Sequence, residues 1–265
     1  MTVGRLVTLA FDGAAARVTL ARPQRHNALV PELLADLRAA LSEACASQAR
    51  AIVLAGEGRS FSTGGDVAAF LDAAARNEAA LRAYAGEIVG LLNAAILDLV
   101  AAPVPVIAVA QGAVTGGSAG LVLAADLVAL AEDAFLQPWY GAVGFAPDGG
   151  WTALLPERIG PQRALGAQAV NARIAAPEAL RLGLADAVAP ADALEETVSA
   201  WLAAIGEQDR ETLRTTRRLV WDEARRTALA MRLEAERQAF LALVVRPETR
   251  AGMEAFLARR GRPAA

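Results

Sequence analysis

"AIVLAGEGRSFSTGGD", Ala51 to Asp66, starts as an apolar run and ends in two consecutive glycines, Gly64 and Gly65, preceded by the hydroxyls Ser62 and Thr63 and followed by an acid. An apolar run of that length bounded by turn residues reads as a short buried strand. A strand running into glycines leaves backbone N–H groups unpaired and lets a ligand approach the main chain without a side chain in the way. A second stretch repeats the design. "PVPVIAVAQGAVTGGSAGLVLAAD", Pro103 to Asp126, passes from a buried strand through Gly112, Gly116 and Gly117 into a helix, whose positive end can present the N–H groups near Gly117. Tight strand-to-helix packing accounts for one such turn, since glycine punctuates most crossovers. Two turns of the same design make a candidate anion cradle. The spacing of Gly112, Gly116, Gly117 and Gly120 does not fit the dinucleotide-binding pattern.

Composition narrows the chemistry further. The chain has 265 residues, 55% of them hydrophobic, enough to bury a large core. All 26 basic residues are arginine, so a lysine Schiff base and a P-loop lysine are both excluded. The arginines are scattered and the formal charge is −3, which argues against nucleic acid as a partner. One cysteine, Cys45, and one histidine, His26, cannot build a disulfide framework or a Cys/His metal cluster. Cys45 reads as packing for a helix face. The opening "MTVGRLVTLAFDG" lacks the pattern of a signal peptide, and a cytoplasmic location is expected. Leu99 to Ala125 carries no charge, but Pro103, Pro105, Gly112, Gly116 and Gly117 would strand backbone groups in lipid, so it reads as buried strand, turn and helix rather than a membrane span.

Along the chain, "RLVTLAF" and "ARVTLA" read as a hairpin, and "PELLADLRAALSEACA" places Leu33, Leu34, Leu37 and Leu41 at helical spacing after Pro31. Strand, helix and the strand at Ala51 imply parallel pairing. Glu78 to Leu99 reads as a long helix, "LVALA" and "AFLQ" as short strands, and Pro147 to Asp186 as short helices punctuated by Gly and Pro. From about Asp192 only helices rich in Arg, Glu and Ala remain, with Trp201, Trp221, Met231, Leu233, Phe240 and Phe256 expected on an apolar face that is either intramolecular core or a subunit interface. The expected organisation is an α/β core over residues 1–191 and a helical region over 192–265.

The segments "ARPQRHNAL", "AIVLAGEGRSFSTGGD", "PVPVIAVAQGAVTGGSAGLVLAAD", "GFAPDGGWTALLPERIG", "AAPEALRLGLADAV" and "AGMEAFLARR" resemble, in the same order and over nearly the whole chain, the crotonase superfamily, the enoyl-CoA hydratase and isomerase family. The resemblance implies a crotonase-like spiral of ββα units with a C-terminal helical trimerisation region, a homotrimer or dimer of trimers, and acyl-CoA thioester substrates. No cofactor is implied beyond the coenzyme A of the substrate, and no metal. It assigns the backbone N–H groups of Gly65 and Gly117 to the thioester oxygen as it becomes an enolate, a contact worth roughly a hundred- to a thousand-fold in rate. It also makes Arg25, His26 and Ala28 candidate coenzyme A contacts, with Arg259 and Arg260 reaching its phosphates. Ser62, Gly64, Asp66, Tyr140 and Phe256 complete the expected substrate contacts. His26, a lone histidine beside two arginines on a loop, reads as a surface or coenzyme A contact rather than a base.

The acid and base set this chain apart. Family hydratases hold a water between two glutamates, and the matching positions here are Gly120 and Tyr140. Asp148 in "APDGGW" matches the acidic residue of several family isomerases. One carboxylate can remove a proton from one carbon and return it to another, so isomerisation of a double bond is expected over hydration. Asp148 also reads as a helix N-cap before Gly149 and Gly150, and Asp66 as a cap before a short helix. Tyr140 either donates to substrate or, with Trp139, walls the acyl pocket. A hydratase or other lyase drawing on Tyr140, Glu87 or Asp98, and a catalytically silent coenzyme A binder, are the alternatives. A family dehalogenase uses an Asp at the position of Asp148 with a His and a Trp; no His matches here, and Trp139 lies one residue off.

Overall fold

The computed structural model describes residues 6–260, the side chain of Arg260 excepted. The expected hairpin is present: β1 (Val7–Asp12) and β2 (Ala15–Leu20) pair antiparallel from Val7 opposite Leu20 to Asp12 opposite Ala15. Their two-residue loop opens on Gly13, whose φ of 55° suits the right-handed twist of the strands. Pro31 starts α1 (Pro31–Ala46), which buries Leu33, Leu34, Leu37 and Leu41 as their spacing predicts, and β3 (Ala51–Gly56) then runs parallel to β2. Cys45 packs half-buried against the core.

After β3 come α2 (Val67–Arg76) and the long α3 (Glu78–Ala101), which packs against α1 and α2. The chain then forms β4 (Val106–Ala110), β5 (Ala113–Thr115), a 3-10 turn at Gly116–Ser118 and α4 (Ala119–Leu123). β6 (Leu127–Ala131), β7 (Phe135–Gln137), α5 (Tyr140–Val143), α6 (Leu155–Ile159) and α7 (Pro161–Ala169) follow. Within the stretch expected to hold only short helices, β8 (Ile174–Ala175) precedes α8 (Ala176–Arg181), and β9 (Ala187–Ala189) comes after it. Strands of two or three residues carry no readable alternation.

The main sheet has the order β1-β2-β3-β4-β6-β9, parallel from β2 onward; β5, β7 and β8 form a second, smaller sheet. Successive parallel strands enter by one device. Asp126 accepts the N–H of Val106 at 2.7 Å while its own N–H reaches the Val106 carbonyl, and Asp186 does the same with Val128 at 2.8 Å. Each acid stands directly before the next strand of the sheet and pins the start of the previous one.

Helices α9 (Leu194–Glu207), α10 (Arg210–Val220), α11 (Glu223–Leu243) and α12 (Pro247–Arg260) end the fold. They pack onto the rest: α9 on β4, β6 and β9, α11 on α3, and α12 across α2 and α5. Of the residues on that apolar face, Trp221, Leu233 and Phe240 are buried within the chain, whereas Met231 is 70% exposed. Leu219 and Val220 are exposed as well.

Candidate active site

The two glycine turns meet. In the first, Gly64 has a φ of 75°, and a Cβ on it would lie 2.6 Å from the carbonyl oxygen of Thr115, so only glycine fits. Ser62 donates to the carbonyl of Asn27 at 2.7 Å and accepts the Gly64 N–H, while Ser118 of the second turn donates to the carbonyl of Ser62 at 3.0 Å. A short bridge between Ser62 and Val114 runs alongside. Gly64 and Ser62, read from the resemblance as substrate contacts, are buried and line neither space described below; the Ser62 hydroxyl and the Gly64 N–H and carbonyl are taken up by Asn27, Ser62 and Leu29. Gly65 and Gly117 differ. The flanking hydrogen bonds, Leu29 N–H to Gly64 and Asp66 N–H to Leu29, leave the Gly65 N–H turned away, and among the described residues neither it nor the Gly117 N–H has an acceptor.

Both glycines line one cavity, together with Tyr140, Asp148 and Phe256. It opens to solvent and is lined mostly by apolar side chains with a few polar groups, the character of a small-molecule site. The rings of Phe70, Phe145 and Phe240 form an apolar wall, with centroids of 4.8 Å (Phe145 to Phe240) and 5.4 Å (Phe70 to Phe145). At another side of the cavity the ring of Phe256, carried by α12, stands against Trp139 at 5.6 Å.

Asp148 is 7% exposed and sits on the irregular segment between α5 and α6. The helix expected just after it is absent; Gly149 (φ 60°) and Gly150 (φ 85°) turn the chain instead, and α6 begins only at Leu155, so Asp148 is no N-cap. Its carboxylate lies against Gly117: a Cβ there would come 2.9 Å from Oδ1 and 3.2 Å from Oδ2. The Tyr140 hydroxyl is 2.5 Å from Oδ1 and 2.9 Å from the Asp148 carbonyl. Burial pushes the Asp148 carboxyl up to about 7, against the pull of the Tyr140 hydroxyl and with added push from the charge of Glu236. Burial and the neighbouring acid drive the Tyr140 hydroxyl well above the usual phenol range, so it stays a donor. Tyr140 is thus both a cavity wall and a partner of Asp148.

Glu236, on α11, went unread in the sequence. It is 4% exposed; Oε2 accepts the N–H of Gly150 at 2.8 Å, and Oε1 accepts Thr152 N–H and Oγ1, each at 2.7 Å, and Ala153 N–H at 3.1 Å. A signal existed: Glu236 falls in helical register with the buried Leu229, Leu233 and Phe240, on the apolar face of a helix otherwise rich in solvated charge. Trp151, fully buried, donates from Nε1 to the Gly116 carbonyl at 2.7 Å and ties the same segment to the second turn.

The position three residues after Gly117 is filled by main chain. A Cβ on Gly120 would overlap the carbonyl oxygen of Gly149 and lie 2.6 Å from Cδ1 of Ile96. Neither Glu87, exposed, nor Asp98, paired with Arg38 at 2.7 Å, lines the cavity.

A second groove adjoins the cavity at Gly65 and is lined by Arg25, His26, Ala28, Asp66 and Leu257, among others. Asp66 stands at the N-cap position of α2 but makes no capping bond. It pairs instead with Arg22 at 3.0 Å and Arg25 at 3.2 Å; burial raises its carboxyl, and the two guanidinium groups outweigh burial and hold it below the usual range. His26 lies exposed with Nδ1 3.2 Å from Ser60 Oγ, away from Asp148. Arg259 is exposed on α12 and lines neither space; the side chain of Arg260 lies outside the described residues. Among the described residues, no three His, Cys, Asp or Glu side chains gather as a metal site.

A sequence model described as Enoyl-CoA hydratase/isomerase matches residues 10–263. The chain belongs to the enoyl-CoA hydratase/isomerase family. A Rhodobacter capsulatus relative named "Probable enoyl-CoA hydratase" is 39% identical over 64% of this chain and 63% of its own length, just under two thirds of it. Among solved structures, an enoyl-CoA hydratase from Bacillus halodurans superposes with a TM-score of 0.87 at 26% identity, covering 94% of this chain and 99% of that one. A monofunctional enoyl CoA isomerase from M. smegmatis gives 0.69 at 29% identity, over 89% of this chain and 99% of that one. The fold is thus the crotonase fold with a helical C-terminal region.

Proposed function

We propose that the protein is an acyl-CoA isomerase that moves a double bond along an enoyl thioester. The N–H groups of Gly65 and Gly117 hold the thioester oxygen, the apolar wall takes the acyl chain, and the groove at Arg25, His26 and Ala28 takes the coenzyme A moiety. The Asp148 carboxylate removes a proton from the α carbon of a 3-enoyl thioester. The C–H electron pair moves into the thioester, whose oxygen gains negative charge against the two amides. The protonated Asp148 then returns the proton to the γ carbon, leaving the double bond between α and β. A carboxyl group near 7 divides its time between both forms at working pH, which suits a group that must accept and then donate. Tyr140 steadies the charged form.

The observation that carries this reading is the pairing of one buried carboxylate beside Gly117 with a Gly120 position closed by the Gly149 main chain. A water held between two acids has no second acid there. A second reading, hydration with Tyr140 and Asp148 as the acid and base, draws on their 2.5 Å contact. Incubating the enzyme with 3-hexenoyl-CoA and, separately, crotonyl-CoA in deuterated water separates them. Migration of the double bond without water uptake, with much of the substrate's own α hydrogen carried to the γ carbon, supports isomerisation by one shuttling carboxylate; net water addition to crotonyl-CoA as the main activity would replace it. In the same reading the exposed Leu219, Val220 and Met231 favour contact between copies in a trimer, and the enzyme works in the cytoplasm.

A further inference from the structure

We infer that Glu236 is a positioning residue for the chemistry at Asp148, acting through the segment from Gly150 to Ala153; this rests on the reading of Asp148 as the proton carrier. The segment that carries Asp148 has no regular structure to hold it. Two left-handed glycines follow the acid directly, so the direction of its carboxylate depends on what fixes the chain just beyond them. Two anchors lie on the cavity side: the Tyr140 hydroxyl on the Asp148 carbonyl, and Trp151 on the Gly116 carbonyl. The third comes from behind, where one carboxylate of α11 accepts three consecutive or near-consecutive main-chain N–H groups and the Thr152 hydroxyl. These N–H groups, of which those of Gly150 and Ala153 are buried, have no other acceptor among the described residues. A buried donor left unpaired is costly, so without Glu236 the segment would shift toward other acceptors and take Asp148 with it.

The group must be a carboxylate. Oε1 accepts three of the four hydrogen bonds and Oε2 the fourth, from Gly150, so an amide in the same place turns its NH₂ against the Gly150 N–H. The charge has a second effect. Among the described residues, Tyr140 on α5 and Glu236 on α11 are the ionisable groups whose fields reach Asp148; from α3 and the second turn, Leu92 and Gly117 stand beside it and carry no charge. Glu236 favours the protonated form of Asp148, and Tyr140 the ionised form.

The test compares Glu236→Gln and Thr152→Val with the parent enzyme. A misplacement of about 1 Å costs on the order of a hundredfold, so Glu236→Gln is expected to lower kcat roughly a hundredfold with KM for the enoyl-CoA little changed. Its pH profile is expected to move to lower pH, because the neighbouring negative charge is gone. Thr152→Val, which keeps the charge and removes one tether, is expected to lower kcat several-fold without moving the profile. Carbon-13 NMR of labelled aspartate, with Asp148→Asn for assignment, reads the Asp148 midpoint without turnover and separates this inference from the functional reading. If Asp148→Asn keeps activity while the NMR midpoint still moves in Glu236→Gln, the functional reading fails and the coupling stands. A parental kcat and midpoint in Glu236→Gln overturns the inference, as does a loss uniform across pH that tracks melting temperature and coenzyme A affinity alike.

Discussion

The carbonyl of Gly149 stands where a side chain on Gly120 would have to go, and a Cβ on Gly120 would also lie 2.8 Å from the Gly149 carbonyl carbon. The contact is reciprocal in kind: a Cβ on Gly149 would lie 2.5 Å from Cα of Gly117. Backbone packs on backbone here, and the acid rides on the junction. Gly120→Ala is therefore expected to destabilise the protein by about 1–3 kcal/mol and to cut double-bond migration sharply, since overpacked cores relax by moving the chain. Gly120→Glu should not create a hydratase. Thermal melts and assays with 3-enoyl-CoA and crotonyl-CoA check both; water addition by Gly120→Glu would show that the position is roomier than its packing.

Asp148→Asn mimics the protonated acid and keeps an acceptor for Tyr140. Migration is expected to fall by roughly 10³- to 10⁴-fold while binding of a saturated acyl-CoA is kept. Stability should respond in the opposite sense. The carboxyl titrates near 7 when folded and near 3.8 when unfolded, so the native state is penalised progressively as pH rises from about 4 to 7, by about 4 kcal/mol in full. Asp148→Asn removes that penalty, and its melting temperature relative to the parent should be higher at pH 8 than at pH 4. A gap that does not widen with pH would show the carboxyl to be ionised at ordinary values.

For the parent enzyme, kcat/KM is expected to rise with pH through a midpoint near 7, as the carboxylate form that starts the reaction accumulates. Tyr140→Phe removes the donor that favours that form. A hydrogen bond to a charged group is worth about 1.5–3 kcal/mol, so the midpoint should move up by about one to two pH units, and activity at pH 7 should drop while activity at pH 9 recovers. An unmoved midpoint would make Tyr140 a wall and nothing more.

Asp66 behaves in the reverse manner. Its carboxyl is held below the usual range by Arg22 and Arg25, so its contribution is present above about pH 4 and is lost as pH falls through its folded value. Asp66→Asn should cost about 2 kcal/mol at pH 7, with the difference from the parent shrinking on acidification below pH 4. Because Arg25 faces the second groove, coenzyme A affinity, measured by calorimetry, should change as well.

Both glycine turns were legible because they express a backbone requirement: Gly64 and Gly65 after an apolar strand, and Gly116 and Gly117 before a helix, leave little else for the chain to do. The buried leucines of α1 were legible for the same reason, a period fixed by geometry. Asp148 could be singled out only through resemblance, since its own sequence context suggested a cap. Its pairing with Tyr140 was hidden because the intervening stretch follows no period: Trp139 (φ 65°) and Gly144 (φ 94°) are left-handed, as are the two glycines after the acid. Glu236 was passed over because a glutamate amid arginines reads as solvated, although its register with Leu233 and Phe240 marked it as inward. Met231 shows what spacing leaves open: hydrophobicity on a helix marks an apolar face, and whether that face meets the core or a second copy is not written in its period.

Phe240 and Phe256 reach the cavity from α11 and α12, whereas Gly65, Gly117 and Asp148 all precede them by many turns of chain. During synthesis the amides, the acid and the rings of Phe70 and Phe145 would emerge from the ribosome long before Phe240 and Phe256, which complete the walls. Until then both donors would face bulk water, where a dipole aimed at a growing charge is screened and confers little advantage. Any activity at this site would thus await the docking of α11 and α12 on the segments made before them.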